Sequence, residues 1–213
     1  MNRIAFIDIE VEPANGKILD IGGIKSDGAT FHRNSLTVFT QFLEDTQYVG
    51  GHNIINHDLN YVGQPLNDSG IKSASVIDTL FLSPLLFPSK PYHALLKDDK
   101  LQYDEANNPL NDAIKAKDLF YDEVAAFNQL DEQLKAVYYL LLHNKQGFGA
   151  LFDFLHYAAP ITETESLIRD RFRALICENA DLHQIIVDEP VALAYCLALI
   201  NANSRYSITP RWV

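Results

Sequence analysis

A chain of 213 residues, 47% of them apolar and 11% aromatic, has the length of one large domain or of a domain with an appendage, and enough core-forming side chains to exclude global disorder. Its formal net charge of −11 excludes a general electrostatic grip on nucleic acid, so any basic surface has to be local or supplied by another segment. No apolar run approaches the roughly 20 residues of a membrane span, Met1-Asn2-Arg3 shows no signal-peptide pattern, and Cys177 and Cys196 are isolated; together these features predict a cytoplasmic protein without a membrane partner.

Residues 3–10 read as a strand in which Asp8 and Glu10 share one side while Ile7 and Ile9 enter a core. A second strand, 17–25, follows a turn at Pro13-Ala14-Asn15-Gly16, and Ser26-Asp27-Gly28 turns the chain into a third near 29–33. Ser35 can cap a helix carrying Leu36, Phe39, Phe42 and Leu43. A short strand at 48–51 ends in Gly50-Gly51-His52-Asn53, a helix spans about 58–66, and a fifth strand covers 75–78. From Thr79 onward the pattern is helical, over 79–86, 92–97, 109–127, 131–144, 147–157, 163–178 and 188–202. The expected fold is α/β: a mixed five-stranded sheet flanked by helices over residues 1–127, with an all-helical extension or subdomain over 128–213.

Two neighbouring acids on an apolar strand are unfavourable unless a cation lies between them, and further acids occur in a telling order. Asp58 falls at the mouth of a helix just after a strand end, and Asp112 near the start of an amphipathic helix striped by Ala113, Ala116, Leu119 and Phe120. With Asp8-x-Glu10, the strand Gly16 to Gly22, the His52-Asn53 to Asp58 stretch, Val76-Ile77-Asp78-Thr79-Leu80 and Asn111-Asp112-Ala113, the first 125 or so residues resemble the DEDD exonuclease superfamily. This is the ribonuclease-H-like group that includes the proofreading subunit of bacterial DNA polymerase III. The resemblance implies a ribonuclease-H-like sheet and a 3′–5′ exonuclease acting on single-stranded DNA or DNA 3′ ends. It also implies two divalent ions, Mg²⁺ or Mn²⁺, held by Asp8, Glu10, Asp58 and Asp112.

The family carries a general base near its last aspartate, a histidine five residues before it or a tyrosine four residues before it. Here those positions are Asn107 and Asn108, and an amide accepts no proton near neutral pH. His93 is the candidate substitute and His57, next to Asp58, a second; Tyr92 or Tyr103 could stack a base. The alternative is a catalytically weakened or inactive module that binds nucleic acid or a partner. Asp78 reads as structural or capping, His52 and Asn53 as bracing their loop, and Arg169, Arg171 and Arg173 as a salt-bridged surface. The closing stretch Ser207 to Val213 is similar to the ends of exonuclease-like modules fused to RecQ-type helicases. A covalently fused helicase would then supply the nucleic-acid grip that the acidic charge denies.

Overall fold

In the computed structural model, which describes residues 3–95 and 108–203, strand β1 (Ile4–Val11) runs through the centre of a five-stranded sheet. Its side chains alternate between two apolar clusters: Ile4 and Phe6 enter one, Ala5, Ile7 and Ile9 the other. Strand β2 (Ile18–Lys25) pairs antiparallel with β1, and β3 (Thr30–His32) antiparallel with β2, through tight turns. Strand β4 (Tyr48–Gly51) runs parallel to β1, and β5 (Val76–Asp78) parallel to β4. The order is β3-β2-β1-β4-β5. Connections as short as those after β1 and β2 join only antiparallel partners, so the parallel strands β4 and β5 are reached through α1 (Leu36–Phe42) and α2 (Leu59–Asp68). Phe39 of α1 and Val62 and Leu66 of α2 close the face lined by Ile7 and Ile9.

The opposite face is covered by α4 (Pro109–Gln129), with α3 (Thr79–Leu86) beside it. Ala113, Ala116, Phe120 and Phe127 of α4 are buried at spacings of three, four and seven, the seam of a helix lying on a flat surface. The remaining described helices are α5 (Glu132–Leu142), α6 (Gly149–Leu155), α7 (Thr164–Arg171), α8 (Leu182–Asp188) and α9 (Pro190–Asn203). They join the same apolar cluster as Phe6 and Phe120, so one core runs from the sheet into the helical part. Arg169 pairs with Glu165, Arg171 with Asp131 and Arg173 with Asp170, the salt-bridged surface expected of them.

Two helical expectations need correction. The helix expected over 163–178 ends at Arg171, because buried Phe172 draws the chain inward and Ala174 takes a left-handed conformation at φ 64°. A separate α8 then forms, and Pro190, pre-set for a first helical turn, opens α9. Of the helix expected over 92–97, residues 92–95 are not helical: Tyr92 and Ala94 are exposed, leaving no face to bury, and 96–97 lie outside the described residues. Among the described residues no single helix is long and apolar enough to cross a membrane.

Glu123 continues the buried seam of α4 where an apolar residue belongs. It is fully buried, and neither carboxylate oxygen has a hydrogen-bond partner. Burial pushes its carboxyl up to about 10, with the charges of Asp78 and Asp122 adding to the effect against Lys90, so it is protonated at neutral pH. Glu123→Met, which fills the space without a polar group, is expected to raise stability by about 1–3 kcal/mol. The wild-type fold keeps its proton up to about 10 where the unfolded chain loses it near 4.5, so the wild type weakens as pH rises and the advantage of the variant grows. Calorimetric melting at pH 5 and pH 9 measures both.

Candidate metal centre

The period of two in β1 puts Asp8 and Glu10 on the α4 side, because Ile7 and Ile9 take the other. In the β1–β2 ladder Asp8 lies opposite Gly22. The first turn of α4 rests directly on that glycine: a Cβ there would stand 2.1 Å from the Leu110 nitrogen and 2.1 Å from the Pro109 carbonyl carbon. Asn108 caps the helix, its Oδ1 accepting the N–H groups of Leu110 (3.0 Å) and Asn111 (3.3 Å), and Pro109 suits the first helical position. Seated this way, α4 delivers Asp112 from its first turn. Asp8, Glu10 and Asp112 each offer a carboxylate oxygen, and these oxygens all lie within 4.8 Å of one another.

Asp58 stands beside this triad at the start of α2. Its side chain is only 2% exposed, Oδ2 lies 3.7 Å from His57 Nδ1, and Oδ1 is buried without a partner. It makes no cap hydrogen bond to its own helix. The charges report the crowding. Burial, and then the carboxylates of Asp58, Asp112 and Glu10, push Asp8 up to about 8, with His57 pulling the other way. Burial also raises Asp58, against the opposing effect of His57. His57 in turn is raised by the adjacent Asp58 carboxylate, against the opposing effect of burial, with the fields of Asp8 and Glu10 adding. Four carboxyls face two cations, the partly exposed imidazole of His57 beside Asp58 and the Lys115 ammonium 3.8 Å from Asp112 Oδ1, so the centre is still short of positive charge.

The donor set fits a hard divalent cation: it is all carboxylate oxygen, three members converge, and a fourth keeps an unused buried oxygen next to them. An unpaired buried carboxylate is costly, and a bound cation removes that cost. The triad of Asp8, Glu10 and Asp112 could therefore hold a metal ion.

His93 sits elsewhere. Its Nδ1 is 2.9 Å from Ser83 Oγ on α3, and burial and the charge of Lys90, none of the four acids, lower its pKa. His57 is the histidine that the structure brings to the acids. Asn108 has the capping task just described; Asn107 and Tyr103 lie outside the described residues, as does the closing stretch from Ser207, and Tyr92 is exposed. Asp78 caps α3 and does more than that, and Asn53 holds a left-handed turn at φ 64°. Sequence reasoning misses Gly22, although a glycine inside a strand pattern is itself a sign of close backbone approach.

No family model matches the chain, and neither a curated protein nor a solved structure does. What the centre can do has to follow from its own residues.

Proposed function

We propose that this protein is a metal-dependent 3′–5′ exonuclease-like domain that hydrolyses phosphodiester bonds in DNA. The observation that carries the reading is the convergence of Asp8, Glu10 and Asp112 with the buried, half-unpartnered Asp58 at their side. The strand order β3-β2-β1-β4-β5, with an antiparallel pair on one side of β1 and parallel strands on the other, supports a ribonuclease-H-like fold. Asp8, Glu10, Asp112 and Asp58 would hold two Mg²⁺ or Mn²⁺ ions. Such ions supply an acidified water and stabilisation of the leaving oxygen at neutral pH.

The chain's own residues set the rest. Glu10 and Asp8 come from a rigid central strand and Asp112 from a long helix seated on that strand's neighbour, so the reacting phosphate would be held by elements that do not move independently. His57, half-exposed beside Asp58, is a titratable cation whose charge pulls Asp8 down. It offers a positive edge toward an incoming phosphate and screens the acids from the substrate's charge. With a net charge of −11 the chain has no general grip on nucleic acid, and a covalently fused helicase would supply one.

The test is a time course on labelled single-stranded DNA with Mn²⁺, wild type against Asp8→Ala. The variant is expected to lose activity by roughly a hundredfold or more, the scale on which an essential catalytic group counts. Equal rates sink the enzyme.

One observation favours a second reading. Asn108, at the position where part of the family has its tyrosine base, is committed to capping α4. A module that keeps the metal centre but binds nucleic-acid ends or a partner without cutting would show metal-dependent anisotropy of labelled DNA and no product in the same time course.

A further inference from the structure

The metal centre proposed above needs Asp58 aimed at Asp8; its carboxyl meets His57 and the backbone N–H groups of Asp58 itself and Ile9 but makes no cap bond to α2, so its direction depends on where the backbone of its loop is held. We propose that Asp78 and Thr79 are positioning residues for that centre, clamping the backbone of 51–55 and so fixing where Asp58 points.

Asp78 is completely buried at the end of β5. Its Oδ1 accepts the N–H of Leu80 at 3.0 Å, which is the cap of α3, but also the N–H of Asn53 at 2.9 Å; its Oδ2 accepts the N–H of Ile55 at 3.1 Å. Capping alone accounts for one of the three bonds. The other two reach across to the loop that follows β4. Thr79, equally buried, grips the same loop one residue earlier: its hydroxyl donates to the Gly51 carbonyl at 3.2 Å and accepts from His52 Nδ1 at 2.9 Å. That pairing fixes the proton of His52 on Nδ1.

The register pairs Gly51 with Asp78, so the clamp closes at the root of the loop. It holds Asn53 in its left-handed conformation, which a non-glycine residue keeps only when its surroundings impose it. From there two backbone bonds carry the constraint forward: His57 N–H to the Asn53 carbonyl at 3.0 Å, and Leu59 N–H to the Ile54 carbonyl at 3.0 Å. These bracket Asp58. Charge-assisted bonds from three backbone donors to one carboxylate are stronger than neutral ones, and two of them are directed at this loop.

Two near-isosteric variants separate positioning from plain stability. In Asp78→Asn the amide oxygen keeps two N–H partners, but the NH₂ faces the N–H of Ile55 and releases that end of the loop. Thr79→Val preserves volume and removes both hydroxyl bonds. Mn²⁺ is titrated into wild type and both variants by calorimetry, with metal-free melting and circular dichroism measured alongside and Asp8→Ala as the control for binding at the centre. Each variant is expected to raise the Mn²⁺ Kd by about tenfold, the usual effect of losing a residue that orients a ligand. A folded variant with a lower metal-free melting temperature and an unchanged Kd overturns the positioning role; if Asp78→Asn fails to fold, Thr79→Val decides. Wild type that binds no Mn²⁺, or binds it as well after Asp8→Ala, removes the metal centre itself, an outcome distinct from unchanged variants.

Discussion

Gly22→Ala is expected to abolish metal binding without touching any carboxylate. The added Cβ would lie 2.1 Å from backbone atoms of Pro109 and Leu110, and backbone cannot rotate away as a flexible side chain can. The first turn of α4 has to lift by an ångström or more, and Asp112 lifts with it. The three oxygens now within 4.8 Å of one another then no longer share a cation. Overpacking of this kind costs about 1–3 kcal/mol, so the variant still folds with a melting temperature lower by several degrees. The distinguishing measurement is the shift in melting temperature on adding Mn²⁺, large in wild type and absent in Gly22→Ala. A variant that keeps the wild-type shift shows that α4 is not seated on Gly22 in the way described.

The second large effect is a reversal of pH dependence by metal. Asp8 titrates near 3.8 in an unfolded chain and near 8 in the fold, where burial and its neighbouring carboxylates hold the proton on. Between those values the folded state binds a proton that the unfolded state has released. The stabilisation is therefore complete below about pH 4 and is lost as pH rises through 8. Asp58, also raised, acts in the same direction. Metal binding demands the deprotonated carboxylates, so its contribution grows with pH instead. Melting of metal-free protein should fall from pH 5 to pH 8, while saturating Mg²⁺ or Mn²⁺ should add little at pH 5 and much at pH 8. At a hundred times Kd the stabilisation is about 2.7 kcal/mol, or about 5–10 °C for a chain of this length. The experiment is best run in the Glu123→Met background, because Glu123 contributes a slope of the same sign from outside the centre. No shift at pH 8 with millimolar metal would mean that the four acids bind no cation.

The parts of this molecule that were legible in its sequence are those governed by local periodicity. Alternation in Ile4 to Glu10 places two acids on one face, and the two-sided core on β1 bears this out. The spacing of Ala113, Ala116 and Phe120 yields α4 and brings Asp112 to its first turn. Continued by three and four, the same stripe reaches Glu123 and Phe127, so a buried glutamate was already written into the helix pattern. What stayed hidden depends on contacts between distant segments. The seat of α4 on Gly22 joins positions nearly ninety apart, and the grip of Asp78 on Asn53 and Ile55 joins strands through side-chain-to-backbone bonds that no periodicity encodes. The break after Arg171 turns on one left-handed alanine, a residue type with no preference for that conformation.

Helix α4 has a mechanical consequence. At 21 residues it is a lever about 30 Å long, with Asp112 near one end and Phe127 near the other. Phe127 is boxed by the rings of Phe152 and Tyr157, and Phe120 by Phe154. A tilt of about 5° about the far end would swing the near end of a lever this long by about 2–3 Å, half the span across which the acids gather. The helices after Leu130 contribute none of the four carboxyls, yet they are the stay that keeps this lever still. Sequence change among them is thereby constrained by tolerances set on the other side of the molecule.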